Sequence, residues 1–350
     1  MDEEEVDELF LGEEVTEGTP SEESEEGQQE IIPKALTKQE ACSYLGLLGK
    51  PANALGIEVA YLQIKVNDKM LTDISIIPSF PHVMFVDVSR NVLNEEALSV
   101  LKDLKYLVKL EANENICATC KLPSFPFLQV LTLNKNKIEL IDGLDSPVLE
   151  CLELSYNRAT QLKNIAPPNF QNLKILDLHG NYLETTAGIE CPTIERLYLA
   201  ENKIVKVEGL ESLEKLQILH LRNNPIDNLS GFSRSMTSLT YINLRNCQIY
   251  NIKEVKKLTV LSQLDTLILW ENPVVSSLGD EHRIQALSYV STLKRINKEP
   301  VQQEEVEAAE EIKKQRESME AEEAAAEELS EYEGEHELGA DTEIEEIDDD

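Results

Sequence analysis

Apolar residues recur along this chain in a phrase of nine residues. An apolar residue is followed by two others, a second apolar residue, one other, a third apolar residue, two others and asparagine. Five copies are strict: Leu128/Leu131/Leu133/Asn136, Leu149/Leu152/Leu154/Asn157, Leu173/Leu176/Leu178/Asn181, Ile194/Leu197/Leu199/Asn202 and Leu216/Leu219/Leu221/Asn224. Upstream stand Val83/Val86/Val88/Asn91 and Leu107/Leu110/Ala112/Asn115, and before them Tyr61/Ile64/Val66 with Lys69 at the asparagine position. Downstream stand Leu239/Ile242/Leu244 with Cys247 for asparagine, then Leu264/Leu267/Leu269/Asn272. The ten marker positions step by 21 to 25 residues.

This is the leucine-rich repeat pattern, and it predicts an α/β solenoid: a horseshoe of about ten short repeats with a parallel concave sheet. One coil cannot bury its own apolar residues, so each is buried against its neighbours and the core is continuous. The asparagine must satisfy its amide on the backbone of adjacent coils, because an unpaired buried amide is costly. Cys247 can replace it weakly through its S–H. Steps this short predict convex segments of short helical or 3₁₀ turns, nucleated by phrases such as Ile141-Asp142-Gly143-Leu144 and Val207-Glu208-Gly209-Leu210.

The two ends of a solenoid need caps. Thr37-Lys-Gln-Glu40 is a capping-box pattern ahead of Ala41–Leu48, with Gly49 and Pro51 as stops. It predicts a helix over 37–48 within a capping segment 34–56. After Asn272-Pro273, the stretches Arg283–Tyr289 and Leu293–Asn297 predict a closing helix and a last strand-like turn, ending the repeat domain (57–298). Residues 299–330 are rich in helix formers but carry a thin apolar stripe of Val306, Ala309, Ile312 and Met319. Two readings stand open: a solvated helix, or one that docks on a partner.

Charge sharpens these boundaries. The formal net charge is −34, but residues 1–30 hold 14 acids and no base, and residues 299–350 hold 23 acids and 3 bases. The remaining 29 acids and 29 bases balance. Acidic disordered tails are therefore expected at 1–33 and 331–350. A neutral solenoid without a Lys/Arg run argues against nucleic acid. No signal peptide is evident and no apolar run approaches ~20 residues, so no membrane partner is expected. Of the six cysteines, Cys117 and Cys120 form the one Cys-x-x-Cys. Without a second ligand pair it reads as core packing, so no metal and no cofactor is expected.

Side chains that alternate outward along each strand form concave columns. The N-terminal half of this face is acidic. Its C-terminal half gathers Arg196, Tyr198, His220, Arg222, Tyr241, Arg245 and the chain's single tryptophan, Trp270. Arg, Tyr and Trp dominate binding hot spots, so these residues are the candidate partner-binding site. A face this long suits a protein rather than a small-molecule substrate. Ser155, His179, Asp177 and Glu153 could be written as a nucleophile–base–carboxylate set. They would stand on an open, wet sheet without oxyanion donors, which argues for no enzyme.

The short repeats, Val207-Glu208-Gly209-Leu210 and the Arg283…Leu293-Lys-Arg-Ile296 cap resemble intracellular leucine-rich repeat proteins. That class includes a phosphatase regulator and an outer-arm dynein light chain. A narrower resemblance lies in KVNDKMLTDISIIPSFPHVMFVDVSRN (65–91), in the segment 199–246 with its insert Leu229–Met236, and in the Glu-rich helix after the cap. These are similar to a leucine-rich repeat family of radial-spoke components in motile cilia. That resemblance implies a non-enzymatic scaffold of the spoke head. It would bind other radial spoke head proteins and axonemal complexes, in the cytoplasm and cytoskeleton of the cilium or flagellum. The alternative is an acidic nuclear repeat protein, a histone chaperone or phosphatase regulator. Its tail would be nearly pure Asp/Glu, whereas here Lys313, Lys314 and Arg316 interrupt the helix.

Overall fold

From Val83 onward each phrase folds as a three-residue strand with its second apolar residue buried at the centre, and the first phrase lies in a six-residue strand. The computed structural model describes residues 31–52, 58–142 and 144–337. The strands are β1 (Leu45–Gly49), β2 (Ala60–Lys65), β3 (Phe85–Asp87), β4 (Lys109–Glu111), β5 (Val130–Thr132), β6 (Leu140–Ile141), β7 (Cys151–Glu153) and β8 (Gln161–Leu162). They continue with β9 (Ile175–Asp177), β10 (Arg196–Tyr198), β11 (Ile218–His220), β12 (Tyr241–Asn243), β13 (Thr266–Ile268), β14 (Arg295–Ile296) and β15 (Glu299–Pro300). Thirteen of them form one sheet in sequence order, parallel from β2 to β14, with β1 and β15 antiparallel at its edges. The register is the one that the phrase demands: Ile64 pairs Val86, Leu110 pairs Leu131, Leu197 pairs Leu219 and Leu267 pairs Ile296. From Lys34 onward the chain forms one unit.

The asparagines form the expected ladder. The Asn157 amide donates to Leu133 O at 2.9 Å and Leu154 O at 2.9 Å, and its Oδ1 accepts from Ile138 N at 3.1 Å. Asn91, Asn115, Asn136, Asn181, Asn202, Asn224 and Asn272 repeat this pattern from coil to coil. Cys247 keeps half of it. Its thiol reaches Leu221 O at 3.4 Å but offers no accepting oxygen, and Ile226 N turns to Asn224 O instead. Asn297, beyond the tenth repeat, accepts from Leu269 N and Trp270 N and so extends the ladder into the cap.

The residue before each ladder asparagine adopts left-handed backbone, as at Lys135, Glu201 and Glu271, and only Gly180 among them is glycine. Each such side chain costs on the order of 1 kcal/mol. The ladder bonds on either side hold the turn closed against that cost.

The convex side departs from expectation. Short helical turns do occur, in α2 (Glu95–Ser99), which follows α1 (Lys38–Ser43), and in 3₁₀ segments Ile77–Ser79, Val100–Asp103 and Ile252–Val260. The two phrases chosen as helix nuclei are not among them. Ile141 lies in β6, which pairs β8, and Lys206 beside Val207 bridges both Thr185 and Asn228. Gly143 lies outside the described residues. Neighbouring convex segments run parallel at coil spacing, so their backbones pair with each other rather than closing turns.

The N-terminal cap is also shorter in helix than expected. Thr37 caps α1 with the full capping box: Glu40 N donates to Thr37 Oγ1, and Glu40 Oε2 accepts from Thr37 N at 3.0 Å. The helix stops at Ser43, not at Leu48, because Leu45–Gly49 forms β1 on the edge of β2, which would otherwise leave its backbone unpaired.

The C-terminal cap comprises α3 (Pro273–Leu278), α4 (Glu281–Tyr289), β14, β15 and α5 (Gln303–Glu337). Helix α5 runs past residue 330, where an acidic tail was expected to begin. Of the tails expected at 1–33 and 331–350, residues 1–30 and 338–350 lie outside the described residues. Helix α5 docks on its own cap. Ala309 is buried and Val306 packs on the core. Arg283 lies at the centre: it donates to Glu305 at 2.6 and 3.0 Å, to Ile296 O at 2.7 Å and to Pro300 O at 3.2 Å. Arg316 donates to Ser288 O at 2.8 Å and lies over the Tyr289 ring at 4.1 Å. Lys256 Nζ meets Glu320 at 3.2 Å.

Candidate protein-docking face

Strands about 4.8 Å apart bring side chains of one column into lateral contact. This decides what becomes of the candidate residues. Tyr198, His220 and Tyr241 stand on successive strands, since Tyr198 pairs His220 in register and the Tyr241 column lies beside it. Their rings stack side by side, with centroids 5.1 Å and 5.2 Å apart. Each covers the next, so all three are buried rather than protruding. Arg196, Arg222 and Arg245 are half-exposed, and Trp270 alone is open, at 41%.

The arginines have partners that sequence reading did not reveal. Arg222 lies 3.5 Å from Glu201, and Arg245 pairs with Glu271. The Glu271 carboxylate beside Arg245 raises its guanidinium pKa further. Both glutamates occupy the left-handed position before a ladder asparagine. That turn throws their side chains back toward the concave columns. The signal was present as an acid at a fixed offset from the asparagine, but its geometry was not. The C-terminal half thus offers a flat aromatic floor, two internally neutralised arginines and a projecting indole. This is the chemistry of a hot-spot patch with an apolar centre and a polar rim.

The N-terminal half lays acids in the central column. Asp87, Glu111, Thr132, Glu153 and Asp177 stand opposite one another on successive strands. Lys109 lies 3.0 Å from Glu111, and Asn134 donates to Glu153 at 3.0 Å. Asp177 accepts from the backbone N–H of His179 at 3.0 Å. Burial, with Glu153 alongside, pushes its carboxyl up to about 6.

Ser155, His179, Asp177 and Glu153 do not assemble as a catalytic set. His179 Nε2 lies 3.3 Å from Glu201, and the Tyr156 ring sits 4.7 Å from the imidazole. Asp177 accepts from the backbone N–H of His179. The His179 contact also holds the Glu201 carboxyl below its usual range. The two cysteines of the Cys-x-x-Cys turn to different carbonyls, Cys117 to Leu93 O at 3.6 Å and Cys120 to Asp142 O at 3.2 Å. Burial pushes the Cys117 thiol up to about 12. Among the described residues no helix is long and apolar enough to cross a membrane.

A leucine-rich repeat family model matches residues 185–326, which span the aromatic half, the cap and much of α5. Leucine-rich repeat-containing protein 23 of Bos taurus is 39% identical over 81% of this chain and 81% of its own length. The protein of the same name from Homo sapiens is 40% identical over 79% of each chain. That from Mus musculus is 34% identical over 83% of this chain and 84% of its own. The chain belongs to the leucine-rich repeat-containing protein 23 family. Among solved structures, the leucine-rich repeat domain of APL1B aligns at 21% identity and a TM-score of 0.49, covering 61% of each chain. For the family, the solenoid is a protein–protein interaction module of a kind that is typically a scaffold rather than an enzyme.

Proposed function

We propose that this chain is a non-enzymatic structural component of the radial spoke head of the ciliary or flagellar axoneme. It binds other spoke proteins through the concave face and supports ciliary motility. One observation carries the reading. The concave face is a single in-register sheet whose C-terminal half ends in an aromatic floor and an exposed Trp270, beside a cap held rigid by α5. Such a face suits one long protein element held in a fixed direction, which is what a spoke that transmits mechanical signals requires. The cilium follows from family resemblance, and the cytoplasmic and cytoskeletal setting follows with it. Tomography of axonemes from cells lacking the chain is the test. Loss of density at the spoke head, restored by re-expression, is expected; intact spokes together with a nuclear pool of the protein would overturn the reading in favour of the acidic nuclear class.

A further inference from the structure

The acidic row in the N-terminal half is only partly neutralised among the described residues, with Lys109 on Glu111. Glu153 and Asp177 stand directly opposite each other on adjacent strands, where like charges repel. Among the described residues neither forms an ion pair with lysine or arginine. The nearest cations are committed or displaced. Lys109 meets Glu111 at 3.0 Å, and Arg196 sits in the flanking column opposite Ile175.

A second observation points the same way. Thr132 stands between Glu111 and Glu153 in the same column. It is 4% exposed, and its Oγ1 has no hydrogen-bond partner. Buried hydroxyls are ordinarily paired. The row therefore offers acceptor oxygens from carboxylates and a hydroxyl that can accept as well as donate. Guanidinium and ammonium groups carry donors only, so they are its complement. Beside the row lie half-exposed Val130 and Ile175, which suit the methylene stem of a long basic side chain. Burial, with Glu153 alongside, pushes the Asp177 carboxyl up despite the nearby His179.

We infer that Glu111, Thr132, Glu153 and Asp177 form a docking site for an arginine- or lysine-bearing segment of a protein partner. The inference rests on the reading of the concave face as the protein-binding surface. It assigns direction as well as site. The partner lies along the sheet with its basic end over β4 to β9 and its apolar end over the ring floor of β10 to β13.

Photo-crosslinking in axonemes tests this. The full chain carries p-benzoylphenylalanine in place of Val130 or, separately, of Trp270, and crosslinked peptides are read by mass spectrometry. From position 130, peptides with Arg or Lys close to the linked residue are expected. Their yield should fall at least ten-fold when Glu153→Gln and Asp177→Asn are added, while the yield from position 270 persists. Both changes remove repulsion and keep the accepting oxygens, so the fold is retained. Peptides without a base, or a yield that the double substitution leaves unchanged, would overturn the inference. Silence at both positions would overturn it together with the concave-face reading. A basic segment from a protein outside the spoke would leave it standing and overturn the spoke assignment alone.

Discussion

Strands β3 to β9 and strands β10 to β13 present side chains in the same three columns. The first set fills its central column with carboxylates around Thr132, and the second places Tyr198, His220, Asn243 and Ile268 there, with the Tyr241 ring stacked from the column beside it. The halves also end differently. The N-terminal edge is closed by one antiparallel strand that leaves Leu47 and Leu48 exposed, whereas the C-terminal edge lies under two helices and the strapped α5. In the second half, Glu201 and Glu271 reach in from the turns to neutralise Arg222 and Arg245, and in the first half no lysine or arginine among the described residues pairs with Glu153 or Asp177. One scaffold can therefore carry two surface chemistries, because the ladder and core hold the coils together whatever the outward residues are. Stability resides in the inward positions, which leaves the outward ones free to differ in chemistry.

The largest effects should come from removing what each half cannot replace. Arg283→Ala strips Glu305 of its cationic partner and removes the guanidinium donors to Ile296 O and Pro300 O, at about 3 kcal/mol. Hydrogen exchange should show α5 losing protection while β3 to β9 keep theirs. Uniform loss across the solenoid would show that the cap is not a separate element of stability. Asn157→Ala in the acidic half should cost about 2 kcal/mol by orphaning Ile138 N and taking one of the two amide donors from each of Leu133 O and Leu154 O. Chemical denaturation measures it, and an unchanged midpoint would show that the ladder is dispensable.

Asp177 sharpens the comparison through pH. Its folded pKa is raised to about 6 from an ordinary 3.8. The group's contribution is thus fully favourable below the ordinary value and is lost as pH rises through about 6. Melting temperature should fall as pH rises from about 4 to about 6 and level off above that. Asp177→Asn should remove that slope and raise stability at pH 7 by on the order of 1–2 kcal/mol. A slope that survives Asp177→Asn must come from elsewhere. A smaller gain, about 1 kcal/mol, is expected from Cys247→Asn, which restores an acceptor for Ile226 N. No gain in thermal melting would mean that the Ile226 N–H to Asn224 O bond already compensates.

The sheet was legible because its rule is local: each phrase names its own buried residues, and stacking follows. The register, the ladder and the cap at Thr37 were all readable that way. Longer-range effects were not. Leu45–Leu48 reads as a continuing helix until the open edge of β2 is present to claim it. The thin stripe of α5 gives no hint that Arg283 and Arg316 would clamp it to its own cap. Tyr198, His220 and Tyr241 were identified as one concave group. Their burial against one another depends on strand spacing, which no single phrase contains.

The central claim is that the concave face is where partners dock, and Trp270 with Arg245 tests it most directly. Trp270→Ala with Arg245→Ala should leave the melting temperature nearly unchanged, since Trp270 is exposed and the Arg245–Glu271 pair lies at the surface. Retention of the full-length chain in salt-washed axonemes should fall at least ten-fold, which corresponds to about 1.4 kcal/mol or more of binding. A variant that melts normally and is retained as well as the unaltered chain would contradict the account and move the interface to another face.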